Sequence, residues 1–531
     1  MNITTLTVII TVYLCVTAFL AYIAYRRTCS SLDYLIAGGE THPFLMAMAY
    51  GSTFISTAAI VGFGGIAGIY GMSMLWLTFM NVFVGIFIAF VLYGKKTLEV
   101  GKKLNAKTFP ELLGLRYRSS FVQKFSAVIV IFAMPLYASA VMIGAGRFLE
   151  QLLQVDYTWA VIIFSLVVAL YVISGGLKGV FYNDALQGSI MFAGMVTLLI
   201  MTYVRLGGVI SAHGELSRML SLVPEGLAAS GHLGWTNMPA FGSEIWWVVI
   251  STMVMGVGIG VLAQPQLIVR YLTIKGPRQL NQAVLVGGIF ILCSTGVAFV
   301  VGALSNVFFY RNTGQIALSA VVNPATGQPN VDQIIPLYVS LAMPEWFAYL
   351  FMLTLLAAAM STLSSQFHII GTSLCHDLFQ KSSLSINRFA ILVALSISMY
   401  LALKLPVSII AVATAIFFGI CAAVFLPAYT AALFFPGVGK TAAKSSMIAG
   451  LAASLLWMGF FHAKEAAALG VSQLLFGRET LLGFPWVVVD PIVIALPLST
   501  LTLIASHWLC SMAETRSDVA AKAKLATYVN R

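Results

Sequence analysis

Apolar runs long enough to cross a bilayer recur thirteen times along this chain, and no other feature constrains its fold as strongly. They fall near 4–25, 44–69, 72–93, 122–152, 157–173, 183–204, 245–268, 282–305, 345–376, 388–403, 407–434, 446–462 and 484–510. Inside hydrocarbon a backbone must satisfy its own hydrogen bonds, so runs of this length read as transmembrane helices. The composition agrees: 9% of residues are charged and 60% are hydrophobic, against roughly 25% charged in a soluble domain. The expected fold class is an all-α polytopic membrane protein of about thirteen helices.

The first run is too long for a signal-peptide core, lacks a basic stretch before it, and is followed by Arg26 and Arg27. It reads as a retained helix with its N-terminus outside. On that topology 22 of the 29 Lys and Arg fall on the inner side, 6 on the outer side, and Arg147 lies within a helix. The asymmetry supports a cell-membrane protein with its C-terminus inside. It also turns the net charge of +11 toward anionic lipid and away from nucleic acid. The six cysteines are scattered without a CxxC pair, so they read as packing residues. No GxxxxGK[ST] loop occurs, and the segment after Cys510 is too short for a motor or kinase domain. No enzyme chemistry and no cofactor are expected.

Two runs crowd glycine at membrane depth: "GSTFISTAAIVGFGGIAG" in the second helix and "STMVMGVGIGVLAQPQ" in the seventh. Close packing through small residues is one account. Interrupted helices in matching positions of two halves are the other, and they point to a transporter's central site. Five helices separate the pair, an odd number, so the halves would be inverted. The expected organisation is a single transporter domain, 1–531. Its inverted repeats are 44–204 (helices 2–6) and 245–434 (helices 7–11), with 1–43 and 435–531 peripheral.

The run "LAAAMSTLSSQFHIIGTSLCHD" (356–377) is polar for its setting. Ala358, Ser361, Thr362 and Ser365 fall at i, i+3, i+4 and i+7, which makes one helix face, and His368 and Thr372 continue it. These hydroxyls either bond back to their own helix or face something. Sodium needs hard oxygen ligands. Ser361, Thr362 and the Ala358 carbonyl offer three, and carbonyls freed at the break in helix 2 offer more.

The segment "AAAMSTLSSQ" resembles the signature of the sodium/solute symporter family, whose members carry sugars, proline, pantothenate, sialic acid and monocarboxylates. "DYLIAGG", "TFPELLGLRY", "YVISGGLKGVFYNDALQG", "GVLAQPQLIVRYL" and "FLPAYTAALF" resemble further landmarks of that family in the same order. The resemblance implies the LeuT-like five-plus-five inverted repeat with broken helices 2 and 7. It implies a sodium site made by Ser361, Thr362 and the carbonyls of Ser52, Ile55 and Ala358. It also places Asp184 of "YNDALQ" on the inward sodium route with Ser365, unless Asp184 only caps a helix at the interface. The chain departs from the proline carriers at Phe54 and from the sugar carriers at Ala58 and Ala59.

The function expected is sodium-coupled symport of a small organic solute across the cell membrane by alternating access. A pocket of Phe54, Ala58, Ala59, Tyr137 and the Gly256–Gly260 break suits a monocarboxylate or small amino acid. Alternatives are a proton-coupled carrier on the same fold, with Asp184 or His368 titrating, and a solute-binding membrane sensor. Arg147 either draws an anionic substrate or pairs with Glu150, and His368 reads as a packing histidine.

Overall fold

The computed structural model describes residues 3–28, 30–324, 327–381, 384–406 and 408–529. In chain order the helices are α1 (Ile3–Arg27), α2 (Ser31–Ile36), α3 (Pro43–Phe54), α4 (58–70), α5 (75–104) and α6 (Phe109–Arg116). There follow α7 (Ser120–Leu153), α8 (Tyr157–Arg205), α9 (244–263), α10 (Pro265–Tyr271), α11 (Pro277–Ser294) and α12 (Val297–Thr313). The last are α13 (Ile334–Ala342), α14 (345–378), α15 (Leu384–Lys404), α16 (Ile410–Phe434), α17 (Lys440–Phe460) and α18 (Ile492–Val529). Short helices lie in the loops 209–229, 317–320 and 463–476.

Among the described residues eleven helical segments are long and apolar enough to cross a membrane. Each of the thirteen expected runs is helical over most of its length, and the last becomes helical only at Ile492. The run 44–69 is cut between Phe54 and Ala58, and its second half continues into the 72–93 run as one segment, Ala58–Leu104. That segment leaves helical geometry at Gly71 (φ 69°, ψ −148°). The run 157–173 contributes the shorter apolar helix Tyr157–Ala169, and beyond it α8 leaves helical geometry at Gly176 (φ 56°, ψ −171°), a left-handed φ that suits glycine.

The core is built around α14 and α16, each 89% buried over its most apolar window, whereas α1 and α18 are 22% buried. The first and last helices are thus the least buried of the spans. Between these limits α14 packs on α8 and α7, α3 packs on α8 and α11, and α16 packs on α9 and α17. At the end of the bundle that carries the basic loops, α6 ties the core together. Thr108 donates to Asp377 (2.7 Å), and Arg116 donates to the carbonyls of Ala432 and Phe435 at the C-terminus of α16 (3.0 and 3.1 Å). Burial raises the Glu111 carboxyl, but hydrogen bonds from His376 and from the Lys107 N–H outweigh it and hold the group below the usual range.

The helices α4 and α12 meet without a layer of side chains. A Cβ on Gly302 would stand 1.9 Å from the Gly64 carbonyl oxygen, and one on Gly65 would stand 2.3 Å from the Val331 carbonyl oxygen. Small residues permit this approach of two backbones in a membrane protein. The loop before α9 caps the same end. Trp235 Nε1 and Asn306 Nδ2 both donate to the Gly68 carbonyl, at 3.1 and 2.8 Å. Overpacking should therefore separate two glycine positions. Gly302→Ala is expected to cost about 1–3 kcal/mol, read as a lower thermal midpoint in detergent. Gly437→Ala, whose Cβ meets nothing within 4 Å, is expected to leave the midpoint unchanged.

Candidate ion site at the helix break

The α3 helix ends where "GSTFIST" places three β-branched residues after a glycine, a weak helical stretch. Ile55 takes φ −99° and ψ 88°, which turns its carbonyl out of the helical line. Ser56 restarts the chain: its carbonyl accepts from Ala59 N (3.0 Å) and Ile60 N (3.2 Å), and its hydroxyl accepts from Ala59 N (3.3 Å).

The middle of α14 lies against this break. Ser361 Oγ sits 3.1 Å from the Ser52 carbonyl and 3.2 Å from the Ala358 carbonyl. Thr57 Oγ1 reaches the Leu355 carbonyl at 3.4 Å. Thr362 Oγ1 is fully buried and has no hydrogen-bond partner among the described residues. Leaving such a group unsatisfied costs roughly 1–3 kcal/mol, so an oxygen in this position is suited to a cation. Of the five expected sodium ligands, the structure brings Ser52, Ala358 and Ser361 onto one hydroxyl. Thr362 stands beside Ser361 with its oxygen open, and Ile55 is the residue at which the helix parts. All the donors are oxygen, the chemistry of a hard cation. Ser364, one residue off the stripe, and the later stripe residues bond back to their own helix. Ser364 and Ser365 bond back to the Ser361 carbonyl, both at 3.0 Å, and Thr372 to the His368 carbonyl at 3.0 Å.

One turn toward the basic end lies a second polar group. Arg270, 1% exposed, extends from α10 and donates through Nη2 to Asp184 Oδ2 at 3.1 Å. The same nitrogen donates to Thr53 Oγ1 and Ser365 Oγ, which are 3.1 Å from each other. Asp184 is thus no interfacial cap: it is fully buried and shares its cluster with Ser365. The sequence reading missed Arg270. It treated Arg147 as the one basic residue within a span and ended the seventh run at 268. The missed signal was Asp184 itself, because an acidic residue inside an apolar run demands a counter-charge.

The break in the seventh run also differs from expectation. Glycines 256–260 remain helical, partly as a π-helical stretch, and the chain leaves the helix at Gln264 (φ −80°, ψ 112°). Pro265 explains this, since it lacks an N–H and drives the preceding residue to extended geometry. Phe54 and Ala59 line a space of about 30 Å³ with Asn81, Thr295 and Phe299. Tyr137 stacks on Phe417 at 5.4 Å and hydrogen-bonds Ser56. Ala58 is fully buried, and Gly256 faces the Asp490 carboxylate. His368 is buried in packing, with its ring 5.3 Å from that of Tyr34. Arg147 pairs with Glu150 at 3.0 Å.

A segment crosses beneath Arg270 and closes the basic end. Asn387 donates to the Tyr34 hydroxyl (2.6 Å), Lys178 pairs with Asp33 (2.7 Å), and Thr41 N donates to the Thr273 carbonyl (2.9 Å). Asp184, Arg270 and Ser365 are at most 2% exposed.

Comparison with known proteins agrees with this geometry. The family model for the sodium:solute symporter family matches residues 34–450. The sodium/pantothenate symporter of Haemophilus influenzae is 26% identical over 83% of this chain and 87% of its own length. The osmoregulated proline transporter OpuE of Bacillus subtilis is 26% identical over 88% of this chain and 90% of its own. Among solved structures, a Na+-coupled sialic acid symporter in a substrate-bound outward-open state superposes with a TM-score of 0.70. It is 17% identical and covers 94% of this chain and 98% of that one, a likeness of fold. With its family model matched across most of the chain and the same fold around a broken helix, this protein belongs to the sodium:solute symporter family.

Proposed function

We propose that the solute this sodium-coupled symporter carries is a short monocarboxylate or a small amino acid, that the N-terminus lies outside and the C-terminus inside, and that 44–204 and 245–434 are inverted repeats. Relatives carry proline and pantothenate, and the side chains expected to face the solute, Phe54, Ala58 and Ala59, are apolar, with the Tyr137 hydroxyl bonded to Ser56. The observation that carries the ion site is the orphaned Thr362 hydroxyl beside Ser361, at a place where backbone carbonyls converge.

Sodium held there by Ser52, Ile55, Ala358, Ser361 and Thr362 ties the interrupted helix to α14. Closing the break around the ion also fixes the residues that face the solute, so ion and solute favour each other's binding. On the inward side Asp184 and Ser365 are the next oxygens, and Arg270 occupies them. Sodium released toward that side passes a carboxylate that already holds a cation, so Arg270 must give way for the ion to use it. One sodium ion moving through about 100 mV and a tenfold gradient releases roughly 3.7 kcal/mol, enough for about 500-fold accumulation of a neutral solute.

Removing one ligand hydroxyl leaves the ion short of an oxygen, a loss of roughly 1.5–3 kcal/mol. Uptake by Ser361→Ala and by Thr362→Ala should show sodium half-saturation raised about 10- to 150-fold, with a smaller change in maximal rate. Ser364→Ala, which bonds only its own helix, should be mild. Wild-type half-saturation in both site variants would refute the assignment. Uptake that is driven equally well with potassium in place of sodium would favour the proton-coupled reading.

The buried pair makes a second prediction. Asp184→Asn or Arg270→Gln alone strands a buried charge and should cost about 3–5 kcal/mol in stability. The double variant should recover much of that loss. A thermal midpoint that falls further in the double variant would show that the two side chains are not coupled. Topology is checked by cysteine labelling: positions in 206–240 should react from outside, and those in 96–108 only from inside.

A further inference from the structure

The second half of the broken helix, α4, ends on backbone that the helix itself cannot satisfy, because the chain turns away at Gly71 (φ 69°, ψ −148°). The loop before α9 meets it instead. Trp235 Nε1 donates to the Gly68 carbonyl at 3.1 Å, and Met72 N donates to the Trp235 carbonyl at 2.6 Å. The approach is so close that a Cβ on Gly71 would overlap that carbonyl oxygen. The next carbonyl, that of Ile69, falls to His232, which is 4% exposed and whose Nε2 lies 2.8 Å away.

His232 uses both ring nitrogens. Gly234 N donates to Nδ1 at 3.1 Å. A ring nitrogen beside a carbonyl must carry a hydrogen, and one beside an N–H must offer a lone pair. The two partners therefore require the neutral ring with its proton on Nε2. A second proton, on Nδ1, would face the Gly234 N–H, donor against donor. Among the described residues no acidic group compensates for this. Burial lowers the imidazole, the Ile69 bond raises it, and burial prevails, so the ring titrates below its usual range. The titratable groups of the surrounding elements are engaged elsewhere: His213 with Tyr203 (3.0 Å), Glu215 with Arg311 (2.7 Å) and near Arg218, and Glu244 with Ser230 (3.4 Å) and near Tyr70. The bonded form is thus complete at neutral pH and is lost as pH falls through the folded value of the ring.

We propose that His232 is a positioning residue for sodium binding: its neutral ring fastens the far end of α4 to the loop, and an added proton releases that end and weakens binding at the break. The helix starts three residues after Ile55 and runs roughly 20 Å to this latch. Its backbone lies against that of α12 at Gly64 and Gly302, which leaves little slack between the two ends. With the far end fastened, the carbonyls at the break are already placed. With it free, sodium has to order α4 on binding. Linkage is reciprocal, so sodium should tighten the latch by the factor by which the latch tightens sodium. The role rests on the ion site proposed above for its sodium readout, and not for the response of the loop to pH.

The test uses the full chain in detergent, with sodium as the only ligand and potassium holding the ionic strength constant. Amide hydrogen exchange over 231–237 and 68–72, corrected for its intrinsic pH dependence, reports the latch. The sodium dependence of the thermal midpoint reports the apparent sodium dissociation constant. From pH about 8 to about 5, a range that crosses the ordinary imidazole value of about 6.5, wild-type exchange should speed up and the sodium constant should rise. Each change is expected to be about 2- to 12-fold, the worth of one hydrogen bond. His232→Gln keeps a donor for Ile69 and takes no proton, so it should hold exchange flat and remove that rise in the sodium constant. If it does not fold, His232→Asn, which keeps an acceptor for Gly234, takes its place. Trp235→Phe loses only the indole N–H. It should raise the sodium constant at every pH and keep the acid response, a split that general destabilisation would not produce. Wild-type exchange that ignores acid, a sodium constant that stays flat while the loop loosens, or an acid response of full size in His232→Gln overturns the proposal. If Ser361→Ala and Thr362→Ala leave the sodium constant unchanged while its dependence on His232 persists, the ligand assignment fails and the positioning role stands.

Discussion

An interrupted helix within a bilayer has to find partners for the backbone groups it frees, and everything else in this molecule is arranged around that demand. At Ser52 the partner is a hydroxyl from α14. At Ser56 it is the restarting helix. The surrounding helices are placed to keep water and lipid from the gap, which is why α14 is among the most buried in the protein. A carbonyl cluster in such a setting attracts a small hard cation more strongly than it would in water, because the low dielectric strengthens every dipole that faces the ion.

The fold could be read from the sequence, and so could the face of α14 that meets the break in α3 through Ser361. Glycine crowding located both weak helices, and the i, i+3, i+4 and i+7 spacing put Ser361 and Thr362 on the face that meets α3. Family resemblance supplied Ser52 and Ile55. What could not be read was set by tertiary contact. Ser364 and Ser365 share the chemistry of their neighbours but satisfy themselves on the Ser361 carbonyl, a choice that depends on what stands opposite. The second break moved to Gln264, since one proline outweighed several glycines.

Arg270 illustrates the same limit from the other direction. By position it follows an apolar run and resembles an interfacial residue. The restart of the helix after Pro265 turns it back into the protein, where it meets a carboxylate from α8 and hydroxyls from α3 and α14. Three elements far apart in sequence converge on one guanidinium, and no local pattern encodes such a meeting. Burial of a paired charge is weak evidence for stability, but it is good evidence that the residues have a definite arrangement to hold.

The contact of α4 with α12 has a mechanical consequence. With Gly302 against Gly64, the two backbones touch directly, and no side chain lies between them to change rotamer as they slide. Relative translation would press carbonyl into backbone, so these helices can only travel as one rigid lever. Bending must then be absorbed at its ends, where the dihedrals already depart from helical values: at Ile55, and at Thr295 and Gly296 just before α12. The lever's near pivot is therefore the residue whose carbonyl borders the ion site, and any rotation of the lever changes the shape of that site directly.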